Sequence, residues 1–376
     1  MKIISSTFSF TILLLFFTAS CSQRNTTAMQ DNTPIELKVS ETPIGSVVDS
    51  ITFVPIGENN GHFIRRCRQI VLCNGMAYIS DDYYHPKRIL VFDENTGEPK
   101  FAIDRLGQGP EEYLEMPNFT VDSTNIYIID NYSQNLVVYD SHSGKFVKKM
   151  KLPIVADGVE TLDNGGFILA VRPLKPEYGR HSIDQKKCRL FVTDSDLNIV
   201  QTYLDVEDGT EDAIHIVCQF SRNGDNITYA SPMYNGFFNI SSKDATANPS
   251  FKGIKFDNGL EGLKDVTRED VSNYDFLIET PIECDNYSYL YFNTKENGSL
   301  SGVWDKRKHV FMQNDTEKTH NLMIKPMTAT GNRFVAYVDG IDLYNGMVEN
   351  GFRRAPKEIE QHLENDGSML VVYHMK

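Results

Sequence analysis

The chain has 376 residues, of which 40% are hydrophobic and 11% aromatic, and its formal net charge is −14. This composition suits a folded protein, and the length allows one large or two ordinary domains. The negative charge argues against a nucleic-acid partner, because such binding rests on Lys and Arg side chains that neutralise phosphates. We interpret the acidity as favouring solubility over recognition of a cationic ligand. With 22 Phe and 18 Tyr against one Trp, the aromatic residues favour strands and predict a β-rich fold.

The first 20 residues form a predicted signal peptide. Lys2 gives a weak positive start, and the apolar run over residues 8–17 is shorter than the roughly 20 residues that a membrane-spanning helix needs. The segment "TASC" ends at Cys21 and resembles the lipobox of bacterial lipoproteins, with Thr18 in place of the usual Leu. This resemblance implies cleavage before Cys21, acylation of the cysteine and a stable membrane anchor. The alternative is an ordinary secreted protein that is cut near the same place.

Residues 21–32 are polar and rich in Thr and Asn, which predicts a flexible tether. They lack an acidic run resembling the surface-export signal of some Bacteroidota lipoproteins, which favours the periplasmic face of the outer membrane. The predicted domains are therefore a signal peptide (1–20), a tether (21–32) and a folded domain (33–376).

Five cysteines remain after Cys21. An odd number of cysteines cannot all pair, and no C-x-x-C spacing indicates a zinc site or a redox pair. We expect most of them to be buried free thiols. A disulfide between Cys67 and Cys73 stays open. The five are Cys67, Cys73, Cys188, Cys218 and Cys284.

Two stretches of the chain, residues 77–103 and 126–150, share one plan: strand, Asp, polar turn, strand, aromatic-Asp, a turn that ends in Gly, and strand. Asp81 and Asp130 occupy equivalent positions 49 residues apart, and Gly97 and Gly144 lie 47 apart. This period is typical of propeller blades, which repeat every 40–50 residues or so.

Weaker copies of the same plan follow in the second half of the chain. Strand sequences such as "RILVF" and "MLVVY" are continuous apolar runs, which predicts that both faces are covered. A blade between two neighbouring blades has that cover without helices, and only "PKEIEQHLEN" (356–365) is a good helix candidate. The further copies lie in residues 166–204, 226–241, 289–313 and 333–376.

The predicted fold is therefore all-β: a six-bladed β-propeller of four-stranded antiparallel blades, with about 57 residues per blade. An open ring would leave strand edges and apolar faces exposed. We expect an N-terminal strand from residues 35–56 to close the ring beside the C-terminal strand from residues 368–376.

The stretch "LGQGPEEY" (106–113) has two interpretations. A phosphate-binding glycine loop opens a helix, but strand-favouring residues follow here, and Glu111 and Glu112 would repel a phosphate. A linker between blades is favoured, in which Gly supplies backbone angles that other residues avoid and Pro110 stiffens the turn.

Residues 105–140 resemble the NHL-type propeller repeat, in which a G-x-G-P segment precedes an aromatic residue, a Pro and an Asp. Together with the lipobox, they make the whole chain resemble the six-bladed β-propeller lipoproteins of Bacteroidota, a family largely without assigned chemistry. The matching residues are Gly107, Gly109, Pro110, Tyr113, Pro117, Asp130 and Tyr139.

Several residue groups are candidate metal sites, and each has a simpler interpretation. Asp81 and Asp130 recur in two blades and are predicted to cap turns, because a scaffold residue repeats and a catalytic one does not. Residues 93–104 look like a calcium loop, but Glu98 stands where Gly is required. No cofactor is predicted, although calcium or zinc in the central channel stays open. Histidines that could serve such a site are His62, His85, His142, His215 and His309.

The triplets "DSI" and "DST" look like the O-glycosylation sequon of Bacteroidota envelope proteins, which makes Ser50 and Ser123 candidate glycan sites. A set of tyrosines in predicted inter-strand turns is a candidate partner-binding patch. These tyrosines are Tyr83, Tyr84, Tyr132, Tyr178 and Tyr234.

The leading functional hypothesis is a membrane-anchored, non-enzymatic propeller that binds an envelope protein or a glycan across one face. The alternative is a metal-dependent hydrolase, lactonase or lyase with its site in the central channel.

Overall fold

The computed structural model shows a six-bladed β-propeller, as the sequence predicts. Among the residues described, no helix is long and apolar enough to cross a membrane. The predicted signal peptide, tether and Cys21 lie outside the described residues. The structure describes residues 33–376 except 39, 41, 65, 82–87, 174–187, 207–211, 213, 264–265, 267–268 and 315–321.

Two strands and a 3₁₀ turn precede the first blade. They are β1 (Ile35–Glu36), the turn Ile44–Val47 and β2 (Val48–Ile56). Blades 1 to 3 then follow, each a four-stranded antiparallel sheet in simple sequence order. Their strands are β3 (Cys67–Cys73), β4 (Met76–Asp81), β5 (Arg88–Asp93), β6 (Pro99–Ile103); β7 (Phe119–Val121), β8 (Asn125–Asp130), β9 (Asn135–Asp140), β10 (Phe146–Lys151); β11 (Gly158–Thr161), β12 (Phe167–Ala170), β13 (Cys188–Thr193) and β14 (Ile199–Asp205).

Blades 4 to 6 repeat this order with local changes. Blade 5 has its first strand in two short pieces, and blade 6 takes its fourth strand, β2, from the N-terminal part of the chain. Their strands are β15 (Phe220–Asn223), β16 (Asn226–Ala230), β17 (Gly236–Ser241), β18 (Ser250–Lys255); β19 (Phe276–Leu277), β20 (Ile282–Glu283), β21 (Tyr287–Thr294), β22 (Gly298–Asp305), β23 (Val310–Gln313); β24 (Pro326–Thr330), β25 (Arg333–Val338) and β26 (Ser368–Met375).

The repeat units seen in the sequence correspond to real blades, but each unit begins at the second strand of its blade. The apolar second and third strands carry the pattern, whereas the first strands differ in length and composition from blade to blade, from the sequence "CRQIVLC" in β3 to "FTV" in β7. A further 3₁₀ turn spans Val271–Asn273, before blade 5.

Strand β5 shows why the strands are continuous apolar runs. Leu90 and Phe92 pack in a cluster with residues of blade 6, whereas Ile89 and Val91 pack in a cluster with residues of blade 2. All four are fully buried. Side chains alternate between the two faces of a strand, so an apolar residue at every position means that each face is covered by a neighbouring blade.

The ring is closed by β2, which pairs antiparallel with β26, with Val54 opposite Leu370. The prediction of one closing strand over residues 35–56 is only partly right. Ile35 and Glu36 form β1, which adds a fifth strand to blade 4 by parallel pairing with β18. From there the chain passes blade 5, where the backbone N–H of Ser40 donates to the carbonyl of Phe311 at 3.0 Å.

Two helices lie between β25 and β26. Helix α2 (Lys357–Glu364) is the predicted one, whereas α1 (Gly340–Glu349) was not predicted, since its two glycines weaken the helical pattern. The hydroxyl of Tyr344 in α1 donates to Glu360 in α2 at 2.6 Å.

The stretch "LGQGPEEY" is confirmed as a linker, since it lies between β6 of blade 1 and β7 of blade 2. The expected reason for its glycines is wrong, because neither Gly107 nor Gly109 has a positive φ. Their lack of a side chain instead leaves room for Glu112, since a Cβ on Gly107 would lie 2.1 Å from Oε2 of Glu112 and would displace that carboxylate. The N–H of Gly109 donates to that same carboxylate at 2.7 Å. The backbone of this glycine-rich loop therefore binds the carboxylate of its own Glu112 and not a phosphate.

The predicted turn-capping role is confirmed for Asp130, whose carboxylate accepts hydrogen bonds from the N–H and hydroxyl of Ser133 at 3.2 and 2.6 Å. Asp81 forms an ion pair with Arg88 at 3.2 Å, directly opposite it in the neighbouring strand. Both aspartates therefore support the scaffold.

All five cysteines of the propeller are free. Cys67 and Cys73 stand at opposite ends of β3, so the disulfide left open between them does not form. Cys67 and Cys284 are buried as expected, whereas the other three are half-buried.

Candidate functional site

The central channel is the candidate functional site. It contains a cavity of about 610 Å³ that is lined by the first strands of all six blades. Pockets of roughly 300–1,000 Å³ are typical of small-ligand sites. We call the end where the first strands begin the upper end, and the end where they turn into the second strands the lower end.

The first strand of blade 5 differs from the others and shapes the wall. β19 and β20 both pair with β21, and Pro281 stands in the break between them. Proline has no N–H to donate, so a regular strand cannot run through this point. The broken segment brings Glu279 and Thr280 to the cavity surface.

The lining is polar and apolar in about equal parts and carries charges of both signs. Hydroxyl groups come from Ser123, Thr161, Ser221, Thr280, Thr328 and Thr330. Charged side chains come from Arg68, Asp122, Glu160, Asp163, Arg222, Glu279 and Lys325. Phe220 is the aromatic residue among the described lining residues.

At the lower end, Arg222 on β15 joins blade 4 to blade 3. Its guanidinium donates to the carbonyl of Thr161 at 2.8 Å and to Asp163 at 3.1 Å, and it lies 3.3 Å from Oε1 of Glu160. It also donates to the carbonyl of Gly224 at 2.9 Å. A guanidinium with this many partners is held in one orientation, so Arg222 is a fixed part of the wall.

Glu160 on β11 is the most buried of the charged lining residues, at 8% exposure. Its Oε1 accepts a hydrogen bond from the hydroxyl of Thr120 at 2.7 Å, from the N–H of Thr161 at 2.9 Å and from Arg222 at 3.3 Å. Its other oxygen, Oε2, makes no hydrogen bond with any described residue. One oxygen is therefore anchored, and the other is left to the cavity.

At the upper end, Lys325 donates to Glu279 at 2.6 Å, so these two charges are already paired. Arg68 on β3 lines the same end and is half-buried. Its guanidinium has no hydrogen bond or ion pair with any part of the chain that the structure describes. Beside it lies Cys218, whose pKa burial raises to about 11. This thiol therefore stays protonated at neutral pH.

Asn223, the last residue of β15, connects three blades at the lower end. Its amide oxygen accepts from the N–H of Gly331 at 2.7 Å, and its amide nitrogen donates to the carbonyl of Gly331 at 3.1 Å and to Asp285 at 3.0 Å. These bonds tie blade 4 to blades 5 and 6 around the end of the channel.

The predicted tyrosine patch is only partly visible. Tyr83, Tyr84 and Tyr178 lie outside the described residues. Tyr132 is 61% exposed in the turn after β8. Tyr234 is half-buried, packs edge-on against another ring and lies under the guanidinium of Arg189 at 5.5 Å, so it belongs to the packed interior of its loop.

Exposed apolar side chains accompany Tyr132 on the upper face. Leu106 and Leu114 in the linker between blades 1 and 2 are 45% and 39% exposed. The N–H of Leu114 donates to Asp130, two residues before Tyr132, at 3.0 Å. These three side chains form the part of a partner patch that the described residues support.

None of the histidines that the structure describes lines the cavity. His62 accepts a hydrogen bond from Arg88 and lies 3.3 Å from Asp104, and the ring of His309 packs on Trp304. His142 lies in an exposed turn and His215 in the loop before β15. His85 lies outside the described residues. Within the described ranges no three His, Cys, Asp or Glu side chains come together as a group that could hold a metal ion.

Both candidate glycan sites are exposed serines. Ser123 lies in the turn between β7 and β8, at the lower end of the channel. Ser50 lies on β2 and borders a second cavity of about 450 Å³, between β2 and the end of α1.

The sequence did not single out Arg68, Glu160, Arg222 or Lys325. Each lies on or next to the first strand of its blade, and these strands carry no motif and no recognisable period. The available signal was indirect: a segment of mixed polar and apolar residues precedes most of the apolar pairs of strands, and in a propeller that segment faces the channel.

Comparisons with known proteins agree with the fold. A sequence profile described as a domain of unknown function, DUF4934, matches residues 24–374. No curated protein matches the sequence. A solved structure from Bacteroides fragilis, of a protein predicted to be exported, has a TM-score of 0.74 at 17% identity and covers 92% of this chain and 100% of that one.

Two further solved structures are more distant. A member of the DUF4221 family from Bacteroides vulgatus has a TM-score of 0.38 at 12% identity and covers 71% of this chain and 84% of its own. Apo AztD from Citrobacter koseri has a TM-score of 0.40 at 11% identity, with 74% and 71% covered. At 17% identity, the likeness to the Bacteroides fragilis protein concerns the fold alone.

Proposed function

The chain belongs to the DUF4934 family, a domain family of unknown function, and we propose from its channel that it is a binding module of the bacterial envelope. The ligand is the end of an envelope protein or glycan chain that enters the channel from the upper face. The observation that carries this proposal is the 610 Å³ cavity, whose wall combines hydroxyl groups with charges of both signs.

The arrangement of the charges favours binding over turnover. Arg222 is held by Glu160, Asp163 and two carbonyls, and Lys325 is held by Glu279. Groups fixed in this way can orient a polar ligand, and they do not form a nucleophile with an adjacent base, which nucleophilic catalysis needs. Tyr132, Leu106 and Leu114 add apolar contact area beside the upper end.

Binding in the channel is tested with a variant that fills it. Met327 on β24 lines the cavity, so Met327→Trp reduces its volume. The matched control is Val200→Trp on the outer strand β14, where Val200 is 54% exposed. Full-length wild type and both variants are titrated calorimetrically with trialanine, maltotriose and N-acetylglucosamine oligomers.

We expect at least one probe to bind wild type and the Val200 variant, and to bind the Met327 variant at least about tenfold more weakly, a loss of roughly 1.4 kcal/mol. Equal binding to all three proteins would place the ligand elsewhere. Absence of binding by every probe would contradict the proposal.

The alternative, a channel metalloenzyme, is tested by metal removal. If the protein is a binding module without a metal, treatment of the full-length protein with EDTA leaves the melting temperature unchanged. A ligand bound only to the folded state adds stability by mass action. A drop in melting temperature that calcium or zinc reverses would therefore favour the enzyme.

We also propose that Cys21 is acylated and holds the propeller on the outer membrane, facing the periplasm. The support is the lipobox resemblance in "TASC" and the exported Bacteroides fragilis protein of the same fold. Cys21→Ser should move the protein out of the membrane fraction or leave its signal peptide uncleaved, as intact mass measures. If wild type and the Cys21→Ser variant exceed the masses of their polypeptides by the same amount, the acylation of Cys21 is contradicted.

A further inference from the structure

Two groups of opposite charge in the channel, the guanidinium of Arg68 and Oε2 of Glu160, make no hydrogen bond with any described residue, and they carry a more specific inference. Arg68 lies at the upper end and Glu160 lies deeper. Each of the other two channel cations that the structure describes has an acidic partner: Arg222 has Glu160 and Asp163, and Lys325 has Glu279. Arg68 makes no such contact within the described ranges, and Oε2 of Glu160 accepts no hydrogen bond there.

The Glu160 carboxylate is held in place as a hydrogen-bond acceptor. The residue is more than nine-tenths buried, and four donors from three residues hold its Oε1. Removing a carboxylate from water costs free energy unless its oxygens are paired. Oε1 is paired in this way, whereas Oε2 is open to the cavity with its acceptor capacity unused, so it can accept from an ammonium group or another strong hydrogen-bond donor of a ligand.

Arg68 offers the complementary group. A guanidinium binds a carboxylate in a bidentate manner, with two parallel N–H donors. The position of Arg68 at the upper end suits a carboxylate that enters last, after the ammonium end of the ligand has reached Glu160.

The separation of the two groups sets the length of the ligand. Neighbouring contacts fix the relative height of the strands: Gln69 donates to the carbonyl of Phe119, and Thr120 donates to Glu160. Arg68 thus stands one to two residues above Glu160, with β7 between them. Blades pack face to face at about 10 Å, so two such spacings, about 20 Å, separate β3 from β11; the two long side chains extend into that space and leave on the order of 10 Å between their charged ends. Three extended residues span about that distance.

We propose that the ligand is a short peptide with a free amino end at Glu160 and a free carboxyl end at Arg68. This inference rests on the proposed function, because it names the ligand class of the same channel.

The test compares probes that differ only at their ends. Full-length protein is titrated calorimetrically with trialanine, N-acetyl-trialanine, trialanine amide and maltotriose. Blocking either end should weaken binding roughly 10- to 100-fold, the range expected for a hydrogen bond between charged groups.

Two variants assign the ends. Arg68→Gln should bind trialanine and its amide equally, and it removes no hydrogen bond or ion pair that the described part of the chain contains. Glu160→Gln should bind trialanine and its N-acetyl form equally, while the Gln carbonyl can still accept from Thr120 and Thr161. Lys308→Gln, in an exposed turn of blade 5, is the matched control and should behave as wild type.

Three results would overturn the peptide and leave the proposed function standing: equal binding of free and blocked peptides, unchanged preference in both variants, or binding of maltotriose in place of trialanine. If none of these probes and no N-acetylglucosamine oligomer binds, the peptide and the proposed function both fail.

Discussion

Single side chains join neighbouring blades at many points of the ring. The hydroxyl of Tyr78 in blade 1 donates to the carbonyl of Ser141 in blade 2 at 2.8 Å, and that of Tyr203 in blade 3 donates to the carbonyl of Ala245 in blade 4 at 2.9 Å. Each such bond contributes about 0.5–1.5 kcal/mol net. Because they cross between sheets, they fix the position of one blade on the next.

The charged side chain of Glu283 in blade 5 also joins two blades, because it accepts a hydrogen bond from Thr228 in blade 4. Burial alone would raise the pKa of Glu283, but Lys306 at 3.0 Å and hydrogen bonds from Ser288 and Thr228 outweigh burial and lower it. A carboxyl with a lowered pKa in the folded state stabilises the fold above its unfolded pKa, and that contribution is lost as the pH falls through the folded pKa.

Replacing Glu283 should therefore matter at neutral pH and much less in acid. We expect Glu283→Gln to lower the free energy of unfolding by about 2–4 kcal/mol at pH 7, since it leaves Lys306 without its partner. Below the ordinary Glu pKa of 4.5 the difference from wild type should shrink. Urea unfolding at pH 7, 5, 4 and 3 measures it, with the exposed Glu349→Gln as control. A constant difference across this range would contradict the assignment.

The linker between blades 1 and 2 gives a second prediction at this scale. Gly107→Ala should displace the Glu112 carboxylate and so break its bond to the N–H of Gly109, at a cost of about 1–3 kcal/mol. Glu112→Ala should cost a similar amount, because it removes the same bond.

The double variant should then cost little more than either single one. Urea unfolding of the four proteins gives the coupling energy, which we expect to be about 1–2 kcal/mol. Gly346→Ala in α1, where a Cβ would meet nothing within 4 Å, is the control and should be neutral or stabilising. If the two single losses in the free energy of unfolding add up in the double variant, contact with Glu112 does not explain the glycine at position 107.

At the scale of elements, β26 is the strand on which the ring depends. It lies between β25 and β2, so it carries hydrogen bonds on both edges and apolar side chains on both faces. Deleting residues 368–376 should therefore abolish cooperative thermal unfolding, as calorimetry would measure. A truncated protein that melts at the full-length temperature would contradict this role.

The sequence could predict the elements whose side chains are buried on both faces. The runs "RILVF" and "MLVVY" mark β5 and β26 because burial between blades demands an apolar residue at every position. First strands such as β11, with the sequence "GVET", face the channel and combine apolar with polar residues, so no period identifies them. The channel charges were missed for the same reason, since only closure of the ring brings Arg68 and Glu160 into one cavity.

At the scale of the whole molecule, each blade buries its two faces on two neighbours, and six apolar clusters fill the six interfaces. A linear repeat protein can lose an end unit and keep the rest. In a closed ring, loss of one blade exposes two faces.

We therefore expect one thermal transition for the propeller, with equal calorimetric and van't Hoff enthalpies. Differential scanning calorimetry measures both enthalpies. Separate transitions, or a van't Hoff enthalpy well below the calorimetric one, would show that the blades unfold independently.

The pairing of β2 with β26 also governs the order of folding. During synthesis β2 is made early, while its partner strand is the last element of the chain. Until then, a nine-residue strand with buried side chains has no native edge to join, and contacts so distant in sequence form slowly. Until β26 is made, this unpaired strand is open to aggregation and to chaperones and proteases.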